Sequence, residues 1–250
     1  MILDMSSKYI LFSSIEEYNK QVEEYISSFS GKHAKRMKNI ENAMNIFLTD
    51  IYGYLPTAGE MKWPVLEPNF KTTTTSLLPF NEAWSYKATE CIVHFYIDDE
   101  LFLRVFRNPE KYIPFLCQCE GVIGPDMSQY TDMPAEMRYR HAYCNAYLSM
   151  LIQKEGGNLY PNITWSKSDS YWYSYPENFQ NSVIAINSNG VHKNGLALYR
   201  WRQGYNMVLI RLSPQQIIRY GQVVDGENTM ISTYHINERL NMLKNGCKRK

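Results

Sequence analysis

Nowhere does the 250-residue chain approach the ~18 consecutive apolar residues of a membrane-crossing helix. The opening Met1-Ile-Leu-Asp-Met-Ser-Ser lacks the basic start and apolar run of a secretory signal. No membrane partner is therefore expected. An excess of one charge is missing too: 26 Lys and Arg stand against 25 Asp and Glu, a formal charge of +1, so a nucleic-acid, membrane or acidic partner has to be argued from local patches. Those patches are Lys32-His-Ala-Lys-Arg-Met-Lys38 and the tail Lys244 with Lys248-Arg-Lys250.

Cysteine is sparse. Cys91, Cys117, Cys119, Cys144 and Cys247 are an odd number without regular spacing, which excludes a disulfide framework. Cys117-Gln-Cys119 has one intervening residue where redox and zinc motifs have two. Free thiols and a cytoplasmic location are expected. There is no His-x-x-His or His-Glu-x-x-His, no glycine-rich dinucleotide or phosphate loop, no Gly-x-Ser-x-Gly and no kinase signature. The common zinc, nucleotide and serine-hydrolase classes are thereby set aside.

What is present is 44% hydrophobic residues, enough for a substantial core. Three segments follow. Residues 1–55 contain a helical pair: Ser14-Ile-Glu-Glu17 has the form of a capping box, Tyr18, Val22, Tyr25, Ile26 and Phe29 recur at helical spacing, and a second helix carries Met37, Ile40, Met44, Phe47 and Leu48. Residues 56–78, with Pro56, Gly59, Pro64, Pro68 and four threonines in a row, have no period and are expected to be a linker or a long wrapping loop. Residues 79–250 alternate strand-like and helix-like stretches. Strands are expected near Ile92, Val122, Leu159, Val183 and Ile217. The helices between them should span about 100–119, with breaks near Pro109 and Pro114, then 133–155, capped by Asp132, and 196–212, and a short one should close the chain over Asn237–Lys244. Asp225-Gly226 has the form of a hairpin turn. Long connections imply a mostly parallel sheet of about five or more strands, an α/β fold built as an open sheet or an incomplete TIM-like barrel.

In a parallel sheet, ligands bind at the carboxyl ends of the strands. On that edge the topology gathers Asp98, Asp99, Asp126, Ser128, Thr164, Trp165, Ser188, Asn189 and Tyr220. Asp98 and Asp126 are the paired carboxylates that could hold Mg²⁺ through oxygen ligands, or divide into an acid and a base. The alternative is that one caps a helix and the other holds a turn. His94 shares a strand face with Asp98 and joins the two as a catalytic candidate, with packing in the core as its other role. Arg138 and His141, on the long helix, are candidate ligand-binding residues. The chain has twenty tyrosines and five tryptophans, of which Trp165, Tyr171, Trp172, Tyr173 and Tyr175 crowd one segment; with Arg200, Arg202 and Arg211 these also suit a single-strand nucleic-acid surface, or an aromatic loop over a barrel mouth.

Phe80-Asn-Glu-Ala-Trp84, Val93-His-Phe-Tyr-Ile-Asp-Asp99, Gly124-Pro-Asp-Met-Ser-Gln-Tyr-Thr-Asp-Met-Pro134, Tyr160-Pro-Asn-Ile-Thr-Trp165, Ser182-Val-Ile-Ala-Ile-Asn-Ser-Asn-Gly-Val191 and Arg219-Tyr-Gly221 occur in one collinear order over Pro79 to Arg239. That stretch resembles the domain of unknown function 4417 family of bacteria and their phages. The resemblance implies phage or mobile-element company and no established activity. Tyr143-Cys-Asn-Ala146 departs from a Tyr-Arg-Ser-Arg run in that family, and Arg138 or Arg140 lies one or two turns earlier. The functional expectation is a polar ligand site at the strand ends, metal-assisted if Mg²⁺ binds, acting on a small polar or phosphorylated ligand. The alternative is non-catalytic binding of a protein or nucleic acid.

Overall fold

The computed structural model describes residues 14–85 and 88–235. The closing helix expected over Asn237–Lys244, the basic tail and Cys247 lie outside the described residues.

Among the described residues seven strands follow one another in chain order: β1 (Leu77–Pro79), β2 (Ile92–His94), β3 (Gly121–Ile123), β4 (Leu159–Tyr160), β5 (Val183–Asn187), β6 (Gln216–Tyr220) and β7 (Ser232–His235). Every pairing among them is parallel, β1 through β4 in one ladder and β5 through β7 in a second. Just beyond β4 the two ladders touch at the bridge Asn162↔Ala185, where Ile163 N donates to Ala185 O at 2.9 Å and Ala185 N to Pro161 O at 2.8 Å. The parallel α/β fold expected from the sequence is therefore present.

The sheet is curled. His94 on β2 and Tyr220 on β6 have ring centroids 4.7 Å apart, whereas four strand spacings in a flat sheet would separate them by about 19 Å. Side chains from β1 to β6, namely Leu77, Ile92, Ile123, Tyr160, Val183, Ala185 and Ile218, meet in one inner cluster. This is the interior of an incomplete barrel: among the described residues β1 and β7 are not paired to each other. Burial on both faces explains why Val183-Ile-Ala-Ile186 reads as a continuous apolar run without alternation.

Helices cover the outside. α1 (Ile15–Ser27) is capped by Ser14, whose hydroxyl accepts from Glu17 N. α2 (Gly31–Tyr52) follows after a short turn. The helix expected over 100–119 is divided at Asn108 into α3 (Leu103–Arg107) and α4 (Pro109–Leu116), the break expected at Pro109, which lacks the amide that would continue the ladder, whereas Pro114 lies inside α4 without ending it. α5 (Ala135–Lys154) connects β3 to β4, the short α6 (Tyr171–Ser174) precedes β5, and α7 (Gly195–Leu212) connects β5 to β6. Among the described residues no helix is long and apolar enough to cross a membrane.

α5 is buried nearly all round, with α1 and α2 on its outer side. Its sequence is not uniformly apolar as such a position would suggest, so each polar side chain it buries needs a partner. Arg140 donates to Glu136 at 3.0 Å and lies over the Tyr18 ring of α1 at 4.0 Å. Arg138 makes two 2.8 Å bonds to Asp169. Asn145 accepts from Met127 N at 3.1 Å.

Four expectations are corrected. Asp132 does not cap α5: it is exposed, and Pro134 occupies the cap position with Arg138 N bonding to its carbonyl. Asp225-Gly226 turns the chain, Gly226 having φ +91°, yet makes no hairpin, because β7 pairs parallel with β6. The cause lies at Glu227, whose carboxylate receives Arg219 Nε at 2.9 Å and Nη2 at 3.0 Å and holds residues 221–231 as a crossover on the outer face of β6. β1 was hidden in the proline- and threonine-rich stretch, having only two apolar residues to announce it. Finally, Cys117, Cys119 and Cys144 are free thiols as expected, but Cys91 is disulfide-bonded.

Candidate functional site

The carboxyl ends of β2 to β5 surround Asp126. Val122 and Ile123 fill the barrel wall, Gly124 and Pro125 end the ladder, and Asp126 is the first residue free to turn toward the mouth. Gly124 is required there, since a Cβ would stand 2.8 Å from Ser149 Oγ of α5. The Asp126 carboxylate is held on both sides: Asn162 Nδ2, past β4, donates to Oδ1 at 3.0 Å, and Asn187 Nδ2, ending β5, donates to Oδ2 at 3.2 Å. Asn162 Oδ1 in turn accepts from Tyr96 OH at 2.9 Å. One hydrogen-bonded chain thus links the ends of β2, β3, β4 and β5. Each Asp126 oxygen retains a lone pair for a ligand. Burial pushes the Asp126 carboxyl above its ordinary range, against the two amide donors and nearby His94, which favour the charged form.

Beside Asp126 opens a cleft of about 240 Å³ lined by Ser128, Gln129, Thr164, Trp165, Asn187 and Asn189. Gln129 Nε2 fixes Thr164 Oγ1 at 2.8 Å. Trp165 forms a wall by lying flat against α7, where Gly204 leaves room for it: a Cβ there would be 2.0 Å from the indole nitrogen. Trp201 closes the same side and donates from Nε1 to Asn187 O at 2.8 Å. The cleft continues outward into a second hollow of about 430 Å³ toward the amino end of α7.

Behind Ser128 lies Asp99, which is buried and receives both the Ser128 amide at 3.3 Å and its hydroxyl at 3.1 Å on Oδ1. Burial first, and the charge of Asp126 in addition, raise the Asp99 carboxyl to about 7 despite those bonds. Two neighbouring carboxyl groups with unequal surroundings are the arrangement that divides acid from base. Asp99, not Asp98, is the partner that feels Asp126. Asp98 is exposed, caps the turn at Glu100 N and pairs with Arg36 of α2 at 2.8 Å. Among the described residues no group of three or more His, Cys, Asp and Glu side chains is arranged to hold a metal ion.

The remaining sequence candidates divide. His94 lies inside the barrel with Tyr96 and Tyr220 and accepts from Tyr96 N on Nδ1 at 3.1 Å. Tyr220 stacks on Tyr96, centroids 5.1 Å apart. His141 is buried, bonds Ser128 O through Nδ1 at 2.6 Å and is pushed by burial down to about 4, so it supports the Ser128 loop as a neutral ring. Arg138 is committed to Asp169, and Ser188 donates to Gln222 O at 2.7 Å in the turn after β6. Tyr173 and Tyr175 are buried in packing rather than displayed. Thr164, expected at this edge, does line the cleft, whereas sequence reasoning missed Asn162, Asn187 and Gln129. The signal was available, since all three lie at or beyond strand ends, but neutral amides carry no titration argument to single them out.

Mycobacterium phage L5 and Mycobacterium phage D29 each have a "Gene 1 protein" similar to this chain. The first is 28% identical over 135 residues, covering 52% of this chain and 57% of the relative. The second is 27% identical over 135 residues, covering 52% and 48%. The chain thus matches about half the length of these curated relatives. No solved structure matches it at a significant level. The family described as "Domain of unknown function (DUF4417)" matches residues 55–236, which include every strand of the barrel and the whole cleft, and the chain belongs to that family.

Proposed function

We propose that this protein binds a small polar ligand at the carboxyl ends of β3 to β5 and performs acid–base chemistry on it. Asp126 contacts the ligand, and Asp99 acts through the Ser128 hydroxyl. The observation that carries this reading is the Asp126 carboxylate, fixed by Asn162 and Asn187 at the wall of an open cleft. Three strand ends supply costly buried polar groups to orient one carboxylate, a construction suited to a ligand rather than to a helix cap. Asp99, raised to about 7, exchanges its proton near neutrality, where general acid–base groups are most effective. Phage relatives support a role in a mobile element, by analogy alone.

The test is a thermal-shift screen of the full chain with pentoses, ribonucleosides and their monophosphates. A ligand at 100 times its Kd stabilises the folded state by about 2.7 kcal/mol. At least one compound should stabilise saturably, and its effect should disappear in Asp126→Asn. A panel without any stabilising compound, or one whose effect survives the substitution, would overturn the reading.

A further inference from the structure

We infer that the outer half of the cleft is a phosphate subsite, so that a phosphorylated small molecule lies with its uncharged polar part at Asp126 and its phosphate against the amino end of α7. This rests on the reading of the cleft given above and assigns the ligand a class and a direction.

The argument is a matter of unmatched donors. α7 begins at Gly195, with Asn194 as its cap. The Asn194 side chain satisfies Ala197 N at 2.7 Å, while the Gly195 and Leu196 amides have no acceptor among the described residues. No acidic side chain occupies the first turn, although the helix dipole would favour one. Such an end is suited to an anion, and two further observations point to one. Ser166, in the wall of the same hollow, is 5% exposed, and its buried hydroxyl has no hydrogen-bond partner. Arg200, a half-buried residue in that wall, has neither a carboxylate nor a hydrogen-bond acceptor among the described residues. Its neighbour Arg202 faces Asp225 instead. Buried hydroxyls and arginines are ordinarily paired, so an acceptor-rich, negatively charged group is the complement this wall lacks.

Charge also sets the direction. The inner half presents the Asp126 carboxylate, which repels a phosphate. In the outer half the opposing carboxylate is Asp132, which is exposed and hence screened by solvent. Trp165 and Trp201 line both halves, so one ligand of nucleotide or sugar-phosphate size passes along the same aromatic wall to reach both ends.

The test is a titration of the full chain with inorganic phosphate, followed by amide NMR. Saturable shifts are expected at Gly195 and Leu196. Arg200→Gln should weaken the phosphate at least tenfold and Ser166→Ala severalfold, Asp132→Asn should tighten it severalfold, and Asp126→Asn should not weaken it. Circular dichroism checks that each variant is folded. Absence of saturable shifts at the α7 amino end, or unchanged phosphate affinity in Arg200→Gln, overturns the subsite. If Arg200→Gln is without effect while Asp126→Asn still abolishes binding of a screened compound, the phosphate assignment alone fails. If phosphate titrates as described but Asp126→Asn affects no compound, the subsite stands and the Asp126 reading fails.

Discussion

Asp99 accepts two hydrogen bonds from Ser128, one from the amide and one from the hydroxyl, on a single carboxyl oxygen. The other oxygen, Oδ2, is buried without a partner. That asymmetry has a consequence for stability. The folded-state value near 7 lies above the ~3.9 of an unfolded aspartate, so the folded chain holds an additional proton between the two. Its contribution is complete below about pH 4 and is lost as pH rises to 7. Asp99→Asn keeps the accepting oxygen and removes the buried charge. The variant should be more stable than the parent at pH 8, by a few kcal/mol at most, as measured by urea denaturation. Equal stability at pH 8 would show that Asp99 carries no such strain.

His141 has the opposite sign. Its folded value near 4 lies below the ~6.5 of a free histidine, so its contribution is present above pH 6.5 and is lost as pH falls toward 4. Burial also raises the Asp126, Glu41 and Glu136 carboxyls, whose slopes run with that of Asp99 and against that of His141, so the His141 part is read by difference. In His141→Asn the stability profile should lose the part that rises from pH 4 to 6.5 in the parent. An identical pH profile in the variant would contradict the assignment.

Arg138 is 2% exposed and depends on Asp169 for its charge balance. Asp169→Ala leaves a buried guanidinium uncompensated and should cost about 2 kcal/mol, below the 3–5 kcal/mol of a fully buried pair because Asp169 is partly solvated. Chemical denaturation of the variant measures it. A cost under about 0.5 kcal/mol would place the pair with ordinary surface bridges.

Gly204 is helical, and alanine there would ordinarily gain about 1 kcal/mol of helix propensity. Overlap of the new methyl with the Trp165 indole, 2.0 Å from its nitrogen, should exceed that gain, with overpacking costing about 1–3 kcal/mol. Gly204→Ala is therefore expected to be neutral to destabilising by about 2 kcal/mol and to weaken binding in the cleft by displacing Trp165. A variant that gains stability would mean that the ring has room to move.

Parallel strands were legible wherever a buried stretch stood between long helical periods, as at Val183–Ile186 and Gln216–Tyr220. The edge strands were not: Leu77-Leu-Pro79 is too short to show a period, and Ser232-Thr-Tyr-His235 is half-buried and polar. The position of Asp126 followed from the break at Gly124-Pro125. Its partners did not, because Asn162 and Asn187 meet it only when the sheet curls, and curvature leaves no mark on a single strand. The same holds for the exchange of Asp98 for Asp99, since which of two adjacent carboxylates turns inward depends on the packing of α2 against the turn.

Asp126→Asn tests the central claim most directly, with folding and binding read on the same sample. Neutralising a carboxyl that burial disfavours returns free energy, while the new amide confronts the Asn162 or Asn187 donor and loses about one hydrogen bond, ~1 kcal/mol. The two effects are comparable, so stability should stay within about 1 kcal/mol of the parent. Binding of the compound that stabilises the parent should fall at least tenfold. Unchanged binding, or a loss of more than about 2 kcal/mol of stability, would instead make Asp126 a strut between strand ends.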